Sequence, residues 1–221
     1  MGNIRPRLLI LIVATVVLAL VVVWQWSVGG AEDGGDGEAF RRIEKLANNG
    51  DEGALAREAA VEDVKVACRA VRAMGRVGRK ALGGIRVAMK DKRPAVRQAA
   101  VIAVSQAGGE TDTPTVSEVV STDESPAVRA AAVLSLGRMR AYTQMETLLG
   151  ALDDKDENVR RRANAAIVKI VGASVGFKAS ASPEKRRQDI ASLRSMWNRM
   201  KAKTEIFYKA KKRREQAAKK N

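Results

Sequence analysis

The 221-residue chain contains no histidine and a single cysteine. Without histidine, a His-based general acid or base and a Cys/His metal cluster are both excluded, and one cysteine cannot form a disulfide within the chain. Aromatic residues make up only 4% of the sequence, which argues against an extended platform for stacking nucleic-acid bases. Prolines are few, whereas 46% of the residues are hydrophobic and 29% are charged, which is typical of a folded and largely helical protein.

The net charge of +15 is concentrated at the C-terminal end of the chain. Residues 177–221 carry 15 basic and 4 acidic side chains, a net charge of +11. A basic segment of this kind predicts an anionic partner, such as lipid headgroups, a cell-wall polymer, nucleic acid or an acidic protein. The alternative is a solvated helix end that only keeps the protein soluble.

An uncharged apolar segment occupies residues 8–26. As a helix it would be about 28 Å long, close to the ~30 Å hydrocarbon core of a bilayer. Arg5 and Arg7 precede the segment, and Trp24 and Trp26 lie at its end, where an interfacial aromatic belt is expected. The pattern predicts a single transmembrane helix with a cytoplasmic N-terminus at the cell membrane, so that the repeat domain described below would be extracytoplasmic.

A cleaved signal peptide is the alternative reading of the same segment, and the mature protein would then be secreted. Gly29 and Ala31 could occupy the small-residue positions of a cleavage site. The apolar segment is longer than the roughly 7–15 residues of a typical signal-peptide core, which favours an uncleaved anchor. We therefore divide the chain into an anchor (1–28), a flexible Gly/acidic linker (29–37), a repeat domain (38–181) and a C-terminal capping helix with a basic tail (182–221).

Four segments of the repeat domain align without gaps at intervals of 30, 32 and 31 residues. Each begins with a valine, has small residues four and seven positions later, and continues with a larger apolar residue; these positions share one face of an α-helix. Shorter apolar stretches lie between the segments, so each unit is predicted to be a two-helix hairpin that buries its apolar side by stacking on its neighbours. The four valines are Val66, Val96, Val128 and Val159.

Two charged columns recur in the same register. In three of the four segments an arginine follows the valine and an aspartate precedes the valine by five residues. In the first segment both are replaced, by Ala67 and Val61, which suggests that the two columns serve one interaction. The alternative is separate helix-capping and solvent-exposed roles. We predict an Asp–Arg ladder joining successive repeats, formed by Asp91, Asp123, Asp154, Arg97, Arg129 and Arg160.

The V-R-x-x-A-x-x-A-[LIV]-G pattern, with an aspartate before it, resembles HEAT-like repeats of the bilin-lyase type over residues 38–171. The resemblance implies a right-handed α-solenoid used mainly as a scaffold or binding surface, and it implies no activity. Some HEAT-repeat enzymes bind iron through histidines, which this chain lacks. The predicted fold class is therefore all-α: a solenoid of about four HEAT-like hairpins, preceded by one transmembrane helix and closed by a long basic C-terminal helix.

The residues Ser182-Pro183-Glu184 predict the start of that C-terminal helix. Ile190, Leu193 and Trp197 recur at helical spacing and are expected to cap the last repeat. Beyond Tyr208 the sequence is mainly basic. The candidate contacts with an anionic partner are Lys209, Lys211, Lys212, Arg213, Arg214, Lys219 and Lys220.

These observations predict a membrane-anchored, non-catalytic scaffold or adaptor that mediates protein–protein interaction, with no catalytic residue, cofactor or metal. Its partners would be an unidentified protein, the membrane through residues 8–26, and an anionic lipid or polymer at the basic tail; no specific nucleic acid is predicted. One alternative is a binder of an anionic polymer or lipid surface that acts through the tail, with the solenoid as a spacer. A lyase is less favoured, because no catalytic constellation is found.

Overall fold

A computed structural model describes the backbone of residues 36–218, with the side chains of residues 36–203 and of Glu205, Ile206, Ala210, Arg213 and Arg214. This range forms ten α-helices and no β-strand. Short 3-10 turns precede the fourth, sixth and eighth helices. The helices are α1 (Asp36–Asn49), α2 (Glu52–Ala59), α3 (Val64–Val77), α4 (Leu82–Ala88), α5 (Pro94–Ala107), α6 (Thr113–Thr122), α7 (Pro126–Arg138), α8 (Met145–Ala151), α9 (Glu157–Val171) and α10 (Pro183–Ala218).

From α2 to α9, short and long helices alternate and pack as two layers. Each short helix (α2, α4, α6, α8) packs against the long helix that follows it, and the long helices (α3, α5, α7, α9) pack on one another in chain order. Helix α1 packs on α2 and α3, and α10 packs on α8. The described chain is therefore an α-solenoid of stacked helical hairpins with an additional helix at each end.

The repeat register explains where the long helices begin. Each repeat valine, from Val66 to Val159, is the third residue of its long helix and is buried. Two of these helices start with a proline at the first position, where its missing N–H costs no hydrogen bond. The other two start after an aspartate, Asp63 or Asp156, whose carboxylate accepts the N–H of the valine at 2.9 and 3.0 Å. The prediction of stacked, equivalent hairpins is confirmed.

The predicted fold class is wrong in its first element. It placed a transmembrane helix before the solenoid, but within residues 36–218 no helix is both long and apolar enough to cross a membrane. The physical reason lies in their composition: the repeat helices have fewer than eighteen residues, and the one longer helix, α10, is rich in charged residues. The apolar segment 8–26 and residues 29–35 of the predicted linker lie outside the described residues. The last two residues of that predicted linker, Asp36 and Gly37, are not a linker but the first residues of α1.

Successive long helices approach closely where glycine meets alanine. A Cβ placed on Gly137 of α7 would lie 2.9 Å from the Cβ of Ala166 on α9 and 3.0 Å from its Cα. A Cβ on Gly75 of α3 would likewise lie 3.1 Å from both the Cα and the Cβ of Ala103 on α5. Because backbone atoms stand on the far side of each contact, a larger side chain would separate the helices.

We expect Gly137→Ala to lower the free energy of unfolding by about 1–3 kcal/mol, because overpacking outweighs the better helix propensity of alanine. The matched control is Gly150→Ala in α8, where an added Cβ meets no atom within 4 Å. That substitution should stabilise the protein by about 0.4–1 kcal/mol. Urea denaturation of both variants checks the pair, and the same sign of effect at the two glycines would contradict this account of the α7–α9 contact.

Candidate binding site: the arginine ladder and the long-helix face

Two arginines, the half-buried Arg97 and the buried Arg129, connect successive repeats through paired hydrogen bonds to aspartate. Arg97 donates to both carboxylate oxygens of Asp123, at 2.8 and 3.0 Å. Arg129 donates to both oxygens of Asp154, at 2.8 and 2.9 Å. Only 6% of the Arg129 side chain is exposed, so this planar, bidentate pair is held largely away from water. The structure thus brings each of these arginines to the aspartate of the following repeat.

The remaining nitrogen of each guanidinium holds the turn before its own helix. Nη1 of Arg97 donates to the carbonyl oxygens of Asp91 and Lys92. Arg129 and Arg160 make the same two bonds in their own repeats, five and six residues back along the chain. Arg160 has no following repeat aspartate and instead donates from Nε to the carbonyl of Ala179, at 2.8 Å. The predicted set is therefore not uniform, because the last arginine joins the solenoid to the segment before α10.

Asp91 is paired with an arginine that the sequence comparison did not select. Arg93 donates to both carboxylate oxygens of Asp91, at 2.8 Å each. Its Nη1 also donates to the carbonyls of Val61 and Glu62. These are the carbonyls that an arginine at position 67 would reach by the pattern of Arg97. The guanidinium of Arg93 thus makes the bonds of the missing ladder arginine from a different position in the chain.

This arrangement corrects the interpretation of the joint loss at Val61 and Ala67. Arg97 and Arg129 each pair with the aspartate of the next repeat. By the same pattern, Ala67 belongs with Asp91 and not with Val61. The signal that sequence reasoning missed is the residue type at position 93. Arg93 is the N-cap residue of α5, and the equivalent positions hold the shorter Ser125 and Asp156. Of these three residues, only Asp156 makes a side-chain cap bond.

The ladder carboxylates are held ionised. Burial raises the pKa of the Asp154 carboxyl, but the hydrogen bond from Arg129, the N–H of Asp156 and the charge of Arg129 together bring that pKa below its usual value. At Asp123, burial is opposed in the same way by the hydrogen bond from Arg97, the N–H of Ser125 and the charge of Arg97, and the pKa is again lowered. The folded state therefore binds protons at these groups less readily than the unfolded state does.

The lowered pKa values predict a stability that depends on acid. A carboxyl whose pKa is lower in the folded state contributes stability above its unfolded pKa of about 4 and loses that contribution as the pH falls through the folded value. We expect the urea midpoint to fall as the pH is lowered below about 4. The fall should be shallower in Asp154→Asn, which has no carboxyl at this position. A midpoint that is constant over this range, or a slope unchanged by Asp154→Asn, would contradict the prediction.

On the side of the long layer away from the short helices lies a second feature, which we call the long-helix face. In each long helix, its residues are the one directly before the repeat valine and those three, six and ten positions after it. At 100° per residue they are opposite residues such as Met74, which packs towards Gly84 of α4. The face comprises Lys65, Arg69, Arg72 and Arg76 of α3; Ala95, Ala99, Ile102 and Gln106 of α5; Ala127, Ala131, Leu134 and Arg138 of α7; and Asn158, Arg162, Ala165 and Lys169 of α9.

No residue of the long-helix face is acidic, and several of its cations have no partner within the described residues. Arg72, Arg138 and Lys169 are exposed and make no hydrogen bond or ion pair. Arg69 and Arg76 share a single acceptor, Glu44 of α1, at 3.2 and 2.7 Å. The middle of the face is uncharged and consists mainly of alanine with the half-buried Ile102 and Leu134.

The described surface has open cavities, and three of them bear on binding. One of about 500 Å³ lies between α1 and α3, at the N-terminal end of the long-helix face, and includes Arg41, Lys45 and Arg69 in its wall. A cavity of about 770 Å³ lies beside the Arg129–Asp154 pair between α6 and α8. A smaller one of about 280 Å³ lies between Tyr142 and Trp197. Among the side chains that the structure describes, no cluster of three or more acidic or cysteine side chains could hold a metal ion.

The C-terminal helix extends beyond its packed part. Ile190, Leu193 and Trp197 are buried in the helix that packs on α8, and Ile206 is 70% exposed. Of the seven tail residues predicted to contact an anionic partner, Arg213 and Arg214 are exposed. The side chains of the other five, Lys209, Lys211, Lys212, Lys219 and Lys220, lie outside the described residues.

The likeness to one solved structure, given first here, supports the same fold. The complex of CpcE and CpcF of phycocyanin lyase from Nostoc sp. PCC7120 contains a chain that is 18% identical, with a TM-score of 0.50, covering 63% of this chain and 95% of that one. A designed armadillo-repeat protein is 19% identical with a TM-score of 0.43, covering 68% of this chain and 84% of that one. Another designed armadillo-repeat protein, in complex with the peptide (KR)4, is 18% identical with a TM-score of 0.43, covering 68% and 83% of the two chains.

Sequence comparison identifies the repeats directly. The family described as HEAT repeats matches residues 54–124 and 113–197, which together make up more than half of the chain. No curated protein matches the chain. The family match, with the stacked hairpins found in the structure, shows that the chain belongs to the HEAT-repeat family.

Proposed function

We propose that this protein is a non-catalytic scaffold that binds a protein partner on its long-helix face. The observation that supports this most directly is the layered packing of the solenoid. The short helices, and α10 on α8, lie on the other side of the molecule, and most residues of the long-helix face are at least partly exposed. A contiguous, exposed surface repeated in register over four hairpins is the usual binding surface of a solenoid.

The polar groups of the solenoid favour a binding role over a catalytic one. The arginines and aspartates of the ladder are already hydrogen-bonded, in pairs between repeats and to backbone carbonyls, as at Arg129 and Asp154. The single cysteine, Cys68, is buried, and burial raises the pKa of its thiol, which makes it a poor nucleophile. The likeness to the CpcE–CpcF structure supports the fold alone, so the proposal depends on the surface of this chain.

Site-specific photo-cross-linking of the full chain tests this function. A photo-reactive amino acid is placed at Leu134 on the long-helix face and, in a matched control, at Val87 on short helix α4, which is 74% exposed. We expect discrete protein adducts at position 134 that are absent at position 87 and that persist when residues 209–221 are deleted. Mass spectrometry of the adducts identifies the partner.

Three outcomes contradict the proposal or a part of it. Adducts that disappear when residues 209–221 are deleted would favour the alternative in which the basic tail binds an anionic surface. Identical adducts at positions 134 and 87 would show that the long-helix face has no particular role. Turnover of a substrate by the purified chain would contradict the non-catalytic part of the proposal.

A further inference from the structure

The charge on the long-helix face is divided into two blocks. At one end, α3 contributes Lys65, Arg69, Arg72 and Arg76. At the other end, α7 and α9 contribute Arg138, Arg162 and Lys169. Between the blocks the central positions of α5 and α7 are apolar, with Ile102 and Leu134 half-buried and small alanines beside them. A complementary ligand needs negative charge at both ends and apolar side chains in the middle.

The N-terminal block continues into the cavity of about 500 Å³ between α1 and α3. Arg41 and Lys45 in its wall are exposed and make no hydrogen bond or ion pair within the described residues. The Nε atom of Arg69 is buried without a hydrogen-bond partner, while its Nη2 shares Glu44 with Arg76. The guanidinium also lies 4.5 Å above the ring centre of Phe40, which fixes its position. This end of the face therefore has more donors than acceptors, and a carboxylate would supply the acceptors.

We propose that the long-helix face binds a segment of a partner protein that has acidic residues at both ends and apolar residues at its centre. The inference rests on the proposed function and specifies the chemistry of the partner. Acidic side chains at one end lie in the cavity beside Arg69, those at the other end pair with Arg138 and Lys169, and apolar side chains cover Ile102 and Leu134.

The dimensions of the face set the length of this segment. Adjacent packed helices are about 8–10 Å apart, so the three steps from α3 to α9 span roughly 24–30 Å. An extended strand of about 8–9 residues covers this distance, as does a helix of about 16–20 residues. A probe of about 20 residues is long enough in either conformation.

The pattern favours a peptide over a nucleic acid. A phosphate backbone carries evenly spaced charges and binds best to a continuous series of cations. On the long-helix face the two groups of cations are separated by α5, because none of the residues that α5 contributes to the face is charged. No aromatic side chain is present among its residues on which a base could stack.

The test measures binding of a synthetic peptide of about 20 residues to the full chain by fluorescence anisotropy. The peptide has Glu and Asp at both ends and Leu and Val at its centre. A second peptide has the same charges but serine in place of the central Leu and Val, and a single-stranded oligonucleotide of equal charge is the third probe. We expect the first peptide to bind at least about tenfold more tightly than the other two, because only it buries apolar surface.

Substitutions in the protein locate the site. The double variant Arg72→Glu/Arg138→Glu should weaken binding of the first peptide by at least about tenfold, because each exchange replaces an attraction by a repulsion. The control Arg57→Glu/Lys90→Glu makes the same change in net charge at exposed residues outside the long-helix face. It should weaken binding by less than about twofold at physiological salt, because distant charges are screened.

The outcomes separate this inference from the proposed function. Equal binding of all three probes would overturn the inference and favour nucleic acid or another polyanion. Equal effects of the two double variants would also overturn it. If cross-links form at Leu134 but the first peptide does not bind more tightly than the other probes, only the inferred chemistry of the partner is contradicted. If there are neither cross-links at Leu134 nor a preference for the first peptide, the proposed function is contradicted as well. If circular dichroism shows that a double variant is not folded, the relative affinities of the unaltered protein for the three probes test the inference.

Discussion

Replacing Arg129 by alanine is expected to lower the free energy of unfolding by about 3–5 kcal/mol, the cost of leaving one member of a buried ion pair without its partner. Arg129 is almost fully buried and donates to both oxygens of Asp154 and to two backbone carbonyls. Its removal leaves a carboxylate with 11% of its side chain exposed and without its bidentate donor. Urea denaturation followed by circular dichroism measures the loss.

A double-mutant cycle identifies the cause of this loss. If the unpaired Asp154 carboxylate is the main cost, Arg129→Ala/Asp154→Asn should be more stable than Arg129→Ala alone, because asparagine carries no charge to leave unpaired. The control is Arg138→Ala in the same helix, where an exposed arginine without a partner in the described residues should cost less than about 0.5 kcal/mol. Similar losses for Arg129→Ala and Arg138→Ala would show that the pair with Asp154 contributes little.

The solenoid could be predicted from the sequence because its signals are local and repeated. Val96, Val128 and Val159 recur at nearly constant spacing with small residues on the same helix face, and this pattern directly reflects how each hairpin buries its apolar side. The aspartate and arginine columns follow from the same periodicity. A repeated contact between neighbouring units leaves a repeated trace in the sequence, which a single contact does not.

The parts that could not be predicted depend on contacts that occur only once. The carbonyl of Ala179 accepts from Arg160 because the segment after α9 returns to that point, and a backbone carbonyl has no residue type that a sequence comparison could detect. The long-helix face is another such part: Arg72 and Arg138 have ordinary sequence surroundings, and only the packing of the short layer shows that they share one exposed surface.

Arg93 shows most clearly why a column of residues is not the same as a column of interactions. The carboxylate of Asp91 and the carbonyl of Val61 can accept hydrogen bonds from an arginine at position 67, by the pattern of Arg97. In this protein they accept from an arginine at position 93. We expect Arg93→Ser to lower the free energy of unfolding by about 2 kcal/mol, because the guanidinium's hydrogen bonds to Asp91 and to two carbonyls are lost. Serine offers little in return, since Ser125 makes no side-chain cap bond at the equivalent position of α7. We also expect Ala67→Arg alone to be destabilising by about 1–3 kcal/mol, because position 67 is fully buried and the site is already filled.

The two substitutions together should nearly restore the stability of the unaltered protein. In Ala67→Arg/Arg93→Ser, the arginine at position 67 can make the bonds to Asp91 and to the carbonyls of Val61 and Glu62 that Arg93 made, and serine stands at the N-cap as at position 125. If two substitutions that are each destabilising compensate each other, the arginines at positions 67 and 93 must bind the same acceptors. If the double variant is as unstable as the sum of the single ones, measured by urea denaturation, the two positions are independent, and Arg93 does not replace the missing ladder arginine.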